Sequence, residues 1–185
     1  MPHIFRRESI AAIVPAMFVL AVAAAAQFPN QNHEEMYLQH LTRVNDQSWV
    51  SGQMPMKEIA NLKERGFKAI INLRLPSEHA MAAEKAEAER LGLRYFSIPV
   101  DFGSPREEQV TEYLRITDDP KNRPTFLHCT MAIRAGAFWM VRRVLREKIS
   151  LADAEAEARR IGANDRYIRF ARDYISHHPN LPEKQ

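Results

Sequence analysis

The chain has 185 residues, of which 45% are hydrophobic and 26% are charged, so it is long enough for one globular domain with a real core. Its formal net charge of +3 is small and dispersed, which argues against a nucleic-acid-binding surface. We therefore expect an ordinary folded domain that does not bind nucleic acid.

Residues 1–26 have the pattern of an export signal. Arg6 and Arg7 provide a positive start, residues 10–26 form an apolar run, and the alanines at 24–26 suit a cleavage site. The run is short for a membrane span, which needs about 20 apolar residues. The sequence thus predicts export to the periplasm or the medium, with no membrane contact after cleavage. An uncleaved anchor is the alternative.

Cys129 is the only cysteine of the chain. In an oxidising compartment cysteines usually form pairs, and a lone thiol there is exposed to oxidation. This favours a thiol with a chemical function, and a buried inert cysteine is the alternative.

The folded domain is predicted at residues 47–176. Residues 27–46 are polar and irregular, and we interpret them as a linker with a short helix at 34–42. Residues 177–185 contain two prolines and are interpreted as a flexible tail.

Strands and helices alternate along this domain. Runs of apolar and β-branched residues predict strands, the first of them a short strand or turn, at 49–53, 67–73, 93–100 and 124–128. Helical spacing with Pro, Gly and capping residues predicts helices at 55–65, 77–92 and 105–117, and three more that begin near Arg134, Ser150 and Asn164. Arg142, Arg143 and Arg146 are assigned to a solvated outer face of the first of these three.

This alternation predicts an α/β fold, a three-layer sandwich around a mainly parallel central sheet. Ligands of such sheets bind beyond the carboxyl ends of the strands. Cys129 and Asp101 each follow a predicted strand, so we expect both at this edge.

The stretch 124–136 combines a strand, a tight turn and a helix that starts near Arg134. The turn leaves backbone N–H groups unpaired, and the helix dipole adds positive potential. Both favour the thiolate form of Cys129, and the fork of an arginine can bind two oxygens of a phosphate or sulfate. The alternative is a structural cysteine beside an arginine that extends to solvent.

Four short stretches, in the same order, resemble one family: 51–55, 70–74, 98–103 and 128–139. It is the family of small bacterial tyrosine and dual-specificity phosphatase-like proteins, related to the phosphatase-like domain of beta-lactamase-hydrolase-like proteins. The last stretch carries the family's His-Cys pair and, after four intervening residues, its arginine. The resemblance spans roughly residues 49–162 and implies a cysteine-phosphatase-like fold.

The resemblance implies hydrolysis of phosphate monoesters through a phosphocysteine, with no metal or other cofactor. By position, Cys129 is the nucleophile, Arg134 binds the transferred phosphoryl group, and Asp101 is the general acid. The remaining residues of the implied phosphate-binding loop are His128, Thr130, Met131, Ala132 and Ile133.

The general acid and the border of the site each have an alternative interpretation. Asp101 also suits a tight turn, and Glu107 or Glu108 could replace it as the acid, although their charges equally suit a helix start. Asn72 and Arg74 are interpreted as a border of the site, with a capped strand end as the alternative.

The loop departs from the family at its middle, where Ala132 replaces a glycine. If this residue needs a positive φ, its Cβ costs roughly 1–2 kcal/mol. Ala135 replaces the hydroxyl residue that follows the arginine in many tyrosine phosphatases. Weak activity, or phosphate binding without turnover, is therefore an alternative function.

A rhodanese-like sulfurtransferase is the other alternative, because such enzymes share the four-residue spacing and carry a persulfide on the same thiol. His128 and the downstream helices favour the phosphatase. The side chains between Cys129 and Arg134 add no positive charge, which favours a phosphorylated protein or a small aryl phosphate monoester over an inositol polyphosphate. We expect a monomer.

Overall fold

The computed structural model describes residues 41–78 and 81–179. The predicted export signal, most of the predicted linker with its short helix, and the last six residues of the predicted tail lie outside this part. Within it, no helix is both long enough and apolar enough to cross a membrane.

Five strands form one sheet in the order β1-β2-β5-β3-β4. Their bounds are β1 Thr42–Asn45, β2 Ser48–Ser51, β3 Ala69–Asn72, β4 Arg94–Ser97 and β5 Thr125–His128. β1 is antiparallel to β2, and the other neighbours are parallel. The predicted mainly parallel α/β sheet is confirmed.

Six α-helices of the described residues cover the two faces of this sheet. They are α1 Glu58–Glu64, α2 Met81–Arg90, α3 Glu107–Asp118, α4 Ile133–Leu145, α5 Leu151–Ile161 and α6 Asp165–His177. A short 3-10 turn, Pro120–Asn122, precedes β5. Each predicted helix within the described residues is present, although α1 begins three residues later than expected because a turn precedes it.

Side chains of the buried strands alternate between two apolar cores. Ile70 and Phe126 pack with Ile59 and Leu62 of α1 on one face. Ile71 and Leu127 belong to a larger cluster on the other face, which contains residues of α3, α4, α5 and α6. Because strand side chains point alternately to the two faces, both faces of the sheet are buried and the sandwich has three layers.

The predicted caps of α5 and α6 are also confirmed. Ser150 Oγ accepts a hydrogen bond from the Asp153 backbone N–H at 3.1 Å. Asn164 Oδ1 accepts one from the Tyr167 N–H at 3.1 Å. Each side chain replaces a partner that the first turn of a helix lacks.

The segment predicted as a linker ends in a strand, because β1 pairs with β2 across a tight turn. In this turn Asn45 Oδ1 accepts the Gln47 N–H at 2.8 Å. β1 lies at the edge of the sheet and is largely half-exposed, so its polar composition does not distinguish it from a linker. The ordered domain therefore extends to at least residue 42.

The predicted solvated face of α4 is wrong for two of its three arginines. The side chains of Arg142 and Arg146 are only 8% and 4% exposed, and both pair with Asp118 at the end of α3, at 3.2 and 2.9 Å. Arg143 contacts Glu157 of α5 at 2.7 Å. Because α4 packs against α3, α5 and α6, its polar face meets neighbouring carboxylates rather than water.

The parallel register brings three strand ends together. Ser51 of β2 and Asn72 of β3 both lie opposite His128 of β5. The loop that follows β5 therefore sits between the loops that follow β2 and β3, at the carboxyl edge of the sheet.

Candidate active site

The loop from Cys129 to Ala132 joins β5 to α4 and is fixed to the end of β2 and the loop after it by two backbone hydrogen bonds. The Cys129 N–H donates to the Ser51 carbonyl at 3.4 Å, and the Gln53 N–H donates to the Thr130 carbonyl at 2.9 Å. A Cβ at Gly52 would lie 2.9 Å from the Thr130 oxygen. A glycine is needed there, because any side chain would displace the loop.

Ala132 has a left-handed backbone conformation. A positive φ is the condition under which the sequence analysis expects its Cβ to be strained. Its φ is 61° and its ψ is −5°. Its carbonyl accepts the Gly136 N–H at 2.8 Å, so the residue opens α4. An alanine in this region costs about 1–2 kcal/mol relative to right-handed backbone.

Cys129 and Arg134 lie together at the start of α4. Cys129 is 1% exposed and Arg134 is 3% exposed. Burial alone would lower the pKa of Arg134, but Glu78 and the Cys129 sulfur raise it above its ordinary value. The arginine therefore stays charged beside the thiol, in the positive potential of a helix start.

Glu78, in the loop after β3, is a site residue that the sequence did not reveal. Its two carboxylate oxygens each accept a hydrogen bond of 2.6 Å from Arg134, and Thr130 Oγ1 donates a third, also at 2.6 Å. Burial would raise the pKa of Glu78, but the bonds from Arg134, the Leu75 N–H and Thr130 lower it to about 2. The sequence feature that could have identified Glu78 is its position after a central strand, where ligands of α/β sheets bind.

An open cleft of about 310 Å³ leads to the thiol. Its wall is mainly apolar, since Phe102 and Met131 are 46% and 48% exposed and contribute to it. The complete lining is Glu78, Phe102, Cys129, Thr130, Met131, Ile133 and Arg134. The cleft therefore offers a buried cation and thiol at its base and apolar side chains at its mouth.

Asp101 lies next to this cleft and takes part in a turn. Its Oδ1 accepts the Gly103 N–H at 2.7 Å. The preceding carbonyl, of Val100, accepts a bond from Arg134 at 2.9 Å, and the following residue, Phe102, lines the cleft. The turn role is thus present, and Asp101 itself does not belong to the cleft lining.

The Asp101 loop is fixed by α6. The Tyr167 hydroxyl lies 3.3 Å from the carbonyls of Asp101 and Phe102, and its ring packs against Phe102 at 5.4 Å between centroids. Arg166 donates to the Gly103 carbonyl. Burial raises the pKa of Tyr167, so its hydroxyl remains a proton donor.

Glu107, the first substitute for Asp101, has other partners. Its carboxylate contacts His177 and His178 at the end of α6, at 2.8 and 3.0 Å. Both Glu107 and Glu108 lie in the first turn of α3, where negative charge stabilises a helix. Neither residue belongs to the cleft lining.

Asn72 and Arg74 lie beneath the loop and do not line the cleft. Both are buried, and Asn72 Oδ1 accepts the backbone N–H of Arg74 at 2.8 Å, which caps the end of β3. Arg74 also binds the carboxylate of Glu84, a buried residue of α2. Their contact with the site runs through Glu84, whose Oε1 is 2.8 Å from His128 Nε2.

Glu84 is the centre of this buried network. Besides Arg74 and His128, it accepts bonds from the Tyr95 hydroxyl at 3.0 Å and from Asn72 Nδ2 at 3.2 Å. Burial would raise the pKa of Glu84, but His128, Arg74 and Tyr95 lower it to about 2. A buried carboxylate with these partners fixes the residue that precedes the thiol.

Within the part of the chain that the structure describes, no group of three or more His, Cys, Asp or Glu residues is arranged to hold a metal ion.

A family of phosphatases, described as DSP-PTPase phosphatase fused to NAD+ kinase, matches residues 23–170. The chain belongs to this phosphatase family. The resemblance inferred from four short stretches is confirmed, and the family is one of phosphoric monoester hydrolases.

Curated relatives include the beta-lactamase hydrolase-like proteins of Xylella fastidiosa (strain Temecula1 / ATCC 700964) and Agrobacterium fabrum. The chain is 29% and 27% identical to them over 117 residues, which is 61% of this chain. It spans only 27% of the length of each relative.

Solved structures with the same fold are 17–22% identical to the chain. A DUF442 protein from Shewanella putrefaciens CN-32 has a TM-score of 0.64 and 22% identity, with coverage of 75% of this chain and 88% of that one. TpbA from P. aeruginosa, in complex with pTyr, has a TM-score of 0.60 and 18% identity, with 75% and 83% covered. These likenesses establish a cysteine-phosphatase-like fold.

Replacing Ala132 with glycine should stabilise the protein. Removing the Cβ relieves about 1–2 kcal/mol of strain, and the added entropy of the unfolded chain takes back about 0.4–1 kcal/mol. We expect Ala132→Gly to raise the free energy of unfolding in urea by about 0.5–1 kcal/mol.

Lys148, with a φ of 58°, provides the matched control, because it is the other described non-glycine residue with positive φ and lies outside the cleft lining. Lys148→Gly should give a similar gain in stability. A loss of stability in Ala132→Gly would show that the methyl group of the alanine stabilises the loop by more than the backbone strain destabilises it.

Replacing Glu84 with alanine should destabilise the fold and remove part of its acid sensitivity. Loss of one partner of a buried ion pair costs about 3–5 kcal/mol. The folded pKa of Glu84, about 2, lies below its ordinary value, so the unfolded chain binds more protons as the pH falls from about 4.3 towards 2. The contribution of Glu84 is therefore complete above about pH 4.3 and is lost below it.

Urea unfolding of wild type and Glu84→Ala at several pH values measures this difference. The gap between them should shrink as the pH falls through this range. Glu89→Ala, an exposed position of the same helix, should cost less than about 1 kcal/mol. A gap that stays constant with pH would mean that Glu84 is not held as a carboxylate.

Proposed function

We propose that this protein is an exported, cysteine-dependent phosphatase that hydrolyses phosphate monoesters through a phosphocysteine intermediate. The observation that carries the proposal is the meeting of Cys129 and the buried Arg134 in one cleft, on a loop that opens a helix. Membership in a phosphatase family supports hydrolysis over sulfur transfer. The pattern of residues 1–26 supports export.

In the first step the Cys129 thiolate attacks the phosphorus, and the bond between phosphorus and the ester oxygen breaks. The leaving oxygen takes the proton of Asp101. Arg134 and the backbone N–H groups of 130–134 bind the remaining three oxygens, where negative charge is spread in the transition state. The product is a phosphocysteine and a free alcohol or phenol.

In the second step water attacks the phosphorus and the bond to sulfur breaks. Asp101, now a carboxylate, accepts a proton from the water. Inorganic phosphate leaves, and Cys129 returns to the thiolate. The protein groups that act in this cycle are Cys129, Arg134, Asp101 and the backbone N–H groups of the loop.

The apolar mouth of the cleft favours a phosphotyrosine side chain or another aryl phosphate monoester. Phe102, Met131 and Ile133 provide apolar contact for a ring, and Arg134 is the one cation of the described lining. The relatives differ on this point: TpbA was solved with pTyr, whereas SIW14 of S. cerevisiae is a PP-IP phosphatase. With a single cation in the lining, we infer a singly phosphorylated substrate.

A phosphate-binding protein with little turnover is the second candidate. The strained Ala132 and the carboxylate bound to Arg134 both favour it. The two candidates differ in rate, not in the site that they use.

Purified protein should hydrolyse p-nitrophenyl phosphate in the presence of EDTA, and Cys129→Ser should reduce the rate to background. The serine hydroxyl is a far weaker nucleophile than a thiolate. Circular dichroism should show the same melting temperature for both proteins. Activity that survives in Cys129→Ser would rule out the covalent mechanism, and binding of inorganic phosphate without turnover in wild type would favour the second candidate.

Asp101→Asn tests the general acid without removing the turn, because the asparagine amide oxygen can still accept the Gly103 N–H. For phenyl phosphate, whose phenol is a poor leaving group, kcat should fall by a factor of about 10²–10⁴. For p-nitrophenyl phosphate, whose leaving group needs little protonation, kcat should change much less.

Glu108→Gln tests the alternative general acid in the same assay. It should leave the rates with phenyl phosphate and with p-nitrophenyl phosphate unchanged. Equal effects of Asp101→Asn on the two substrates would show that Asp101 acts only in the turn. A loss confined to phenyl phosphate in Glu108→Gln would move the acid to α3.

A further inference from the structure

The terminal nitrogens of Arg134 are fully used within the protein. Nη1 donates to Glu78 Oε1 at 2.6 Å and to the Val100 carbonyl at 2.9 Å. Nη2 donates to Glu78 Oε2 at 2.6 Å and to Thr130 Oγ1 at 3.2 Å. Two terminal nitrogens of a guanidinium carry four N–H groups, so all four have an acceptor.

A phosphoryl group needs at least one of these N–H groups. Two parallel bonds from a guanidinium to an oxyanion involve either both terminal nitrogens or one of them together with Nε. In either geometry a phosphate oxygen must replace an acceptor that is already present. The Val100 carbonyl is part of the backbone beside the Asp101 loop, and Thr130 Oγ1 accepts only one of the four N–H groups, at 3.2 Å. Glu78 accepts a bond from each terminal nitrogen, so its departure is the one that frees both nitrogens for a phosphate.

The placement of Glu78 suits such an exchange. Its side chain is 27% exposed, whereas that of Arg134 is 3% exposed. It belongs to the lining of the cleft together with Cys129 and Thr130, so it lies on the path by which a ligand reaches the thiol. Its two oxygens occupy donors that two oxygens of a phosphate would otherwise use.

We propose that Glu78 is an internal competitor of the substrate, which binds the anion site when no phosphate is present and leaves when a phosphate ester enters. This inference rests on the proposed function of the same cleft. An entering ligand must replace a singly charged carboxylate. Glu78 therefore favours the binding of doubly charged oxyanions and disfavours that of singly charged ones. Glu78 is then a specificity-determining residue, and its competition lowers the affinity for the ligand.

A merely positioning residue would behave in the opposite way. If Glu78 served only to orient Arg134, its removal would weaken anion binding and lower kcat. If Glu78 competes, its removal strengthens binding and lowers KM. The direction of the change in affinity therefore separates the two roles.

The experiment measures binding of inorganic phosphate by calorimetry to the Cys129→Ser protein, with and without Glu78→Gln. The glutamine keeps the shape of the side chain but removes its charge, which weakens the bonds to Arg134. We expect phosphate to bind about tenfold more tightly in the double variant, since the N–H groups of Arg134 are then no longer held by charge-assisted bonds. Glu64→Gln, an exposed glutamate at the end of α1, is the matched control and should leave the affinity unchanged.

Glu78→Ala and a melting curve guard against a folding defect. Both Glu78 variants should melt as cooperative domains and should bind phosphate more tightly than their parent. Weaker or unchanged binding in the folded variants would overturn the proposal. Binding in neither parent nor variants would overturn it together with the anion site itself.

The failure of the proposed function has a separate signature. If Glu78→Gln binds phosphate more tightly but the protein with an intact thiol hydrolyses no aryl phosphate, competition by Glu78 stands and the hydrolase does not. If the intact protein hydrolyses aryl phosphate and Glu78→Gln raises KM, the hydrolase stands and the competition does not.

Discussion

The buried guanidinium of Arg134 is the constraint on which the rest of the site depends. A charge that is 3% exposed needs acceptors for its N–H groups, and they come from Glu78, Val100 and Thr130. These partners belong to the loop after β3, the loop after β4 and the loop after β5. One side chain thus ties together three loops at the carboxyl edge of the sheet and holds a positive charge beside Cys129.

A second buried cation supports the loop from below. Arg74 and His128 share the carboxylate of Glu84, while Asn72 and Tyr95 complete its hydrogen bonds. Removing any member would leave buried polar groups without partners, which is costly in the low dielectric of a core. The network therefore fixes the end of β5, where the thiol begins, without using the cleft itself.

Local sequence features predicted most of the architecture because they act over short distances. The apolar runs of β3 and β5 and the caps at Ser150 and Asn164 are such features, and so is the strand-turn-helix at Cys129. What could not be predicted depends on distant partners. Glu78 meets Arg134 from 56 positions away, and Arg142 and Arg146 pair with Asp118 from 24 and 28 positions away. Ala132 lies between these cases, since its replacement of a glycine was visible in the sequence but its φ of 61° was not.

The central claim is that Cys129 and Arg134 share one oxyanion site on this loop, which a crystal structure of Cys129→Ser at saturating inorganic phosphate tests most directly. The account predicts a phosphate ion that contacts Arg134, the backbone N–H groups of 130–134 and the side chain at position 129, with the Glu78 carboxylate no longer bound to both terminal nitrogens. A phosphate bound elsewhere on the surface, with the Arg134–Glu78 pair unchanged, would contradict it.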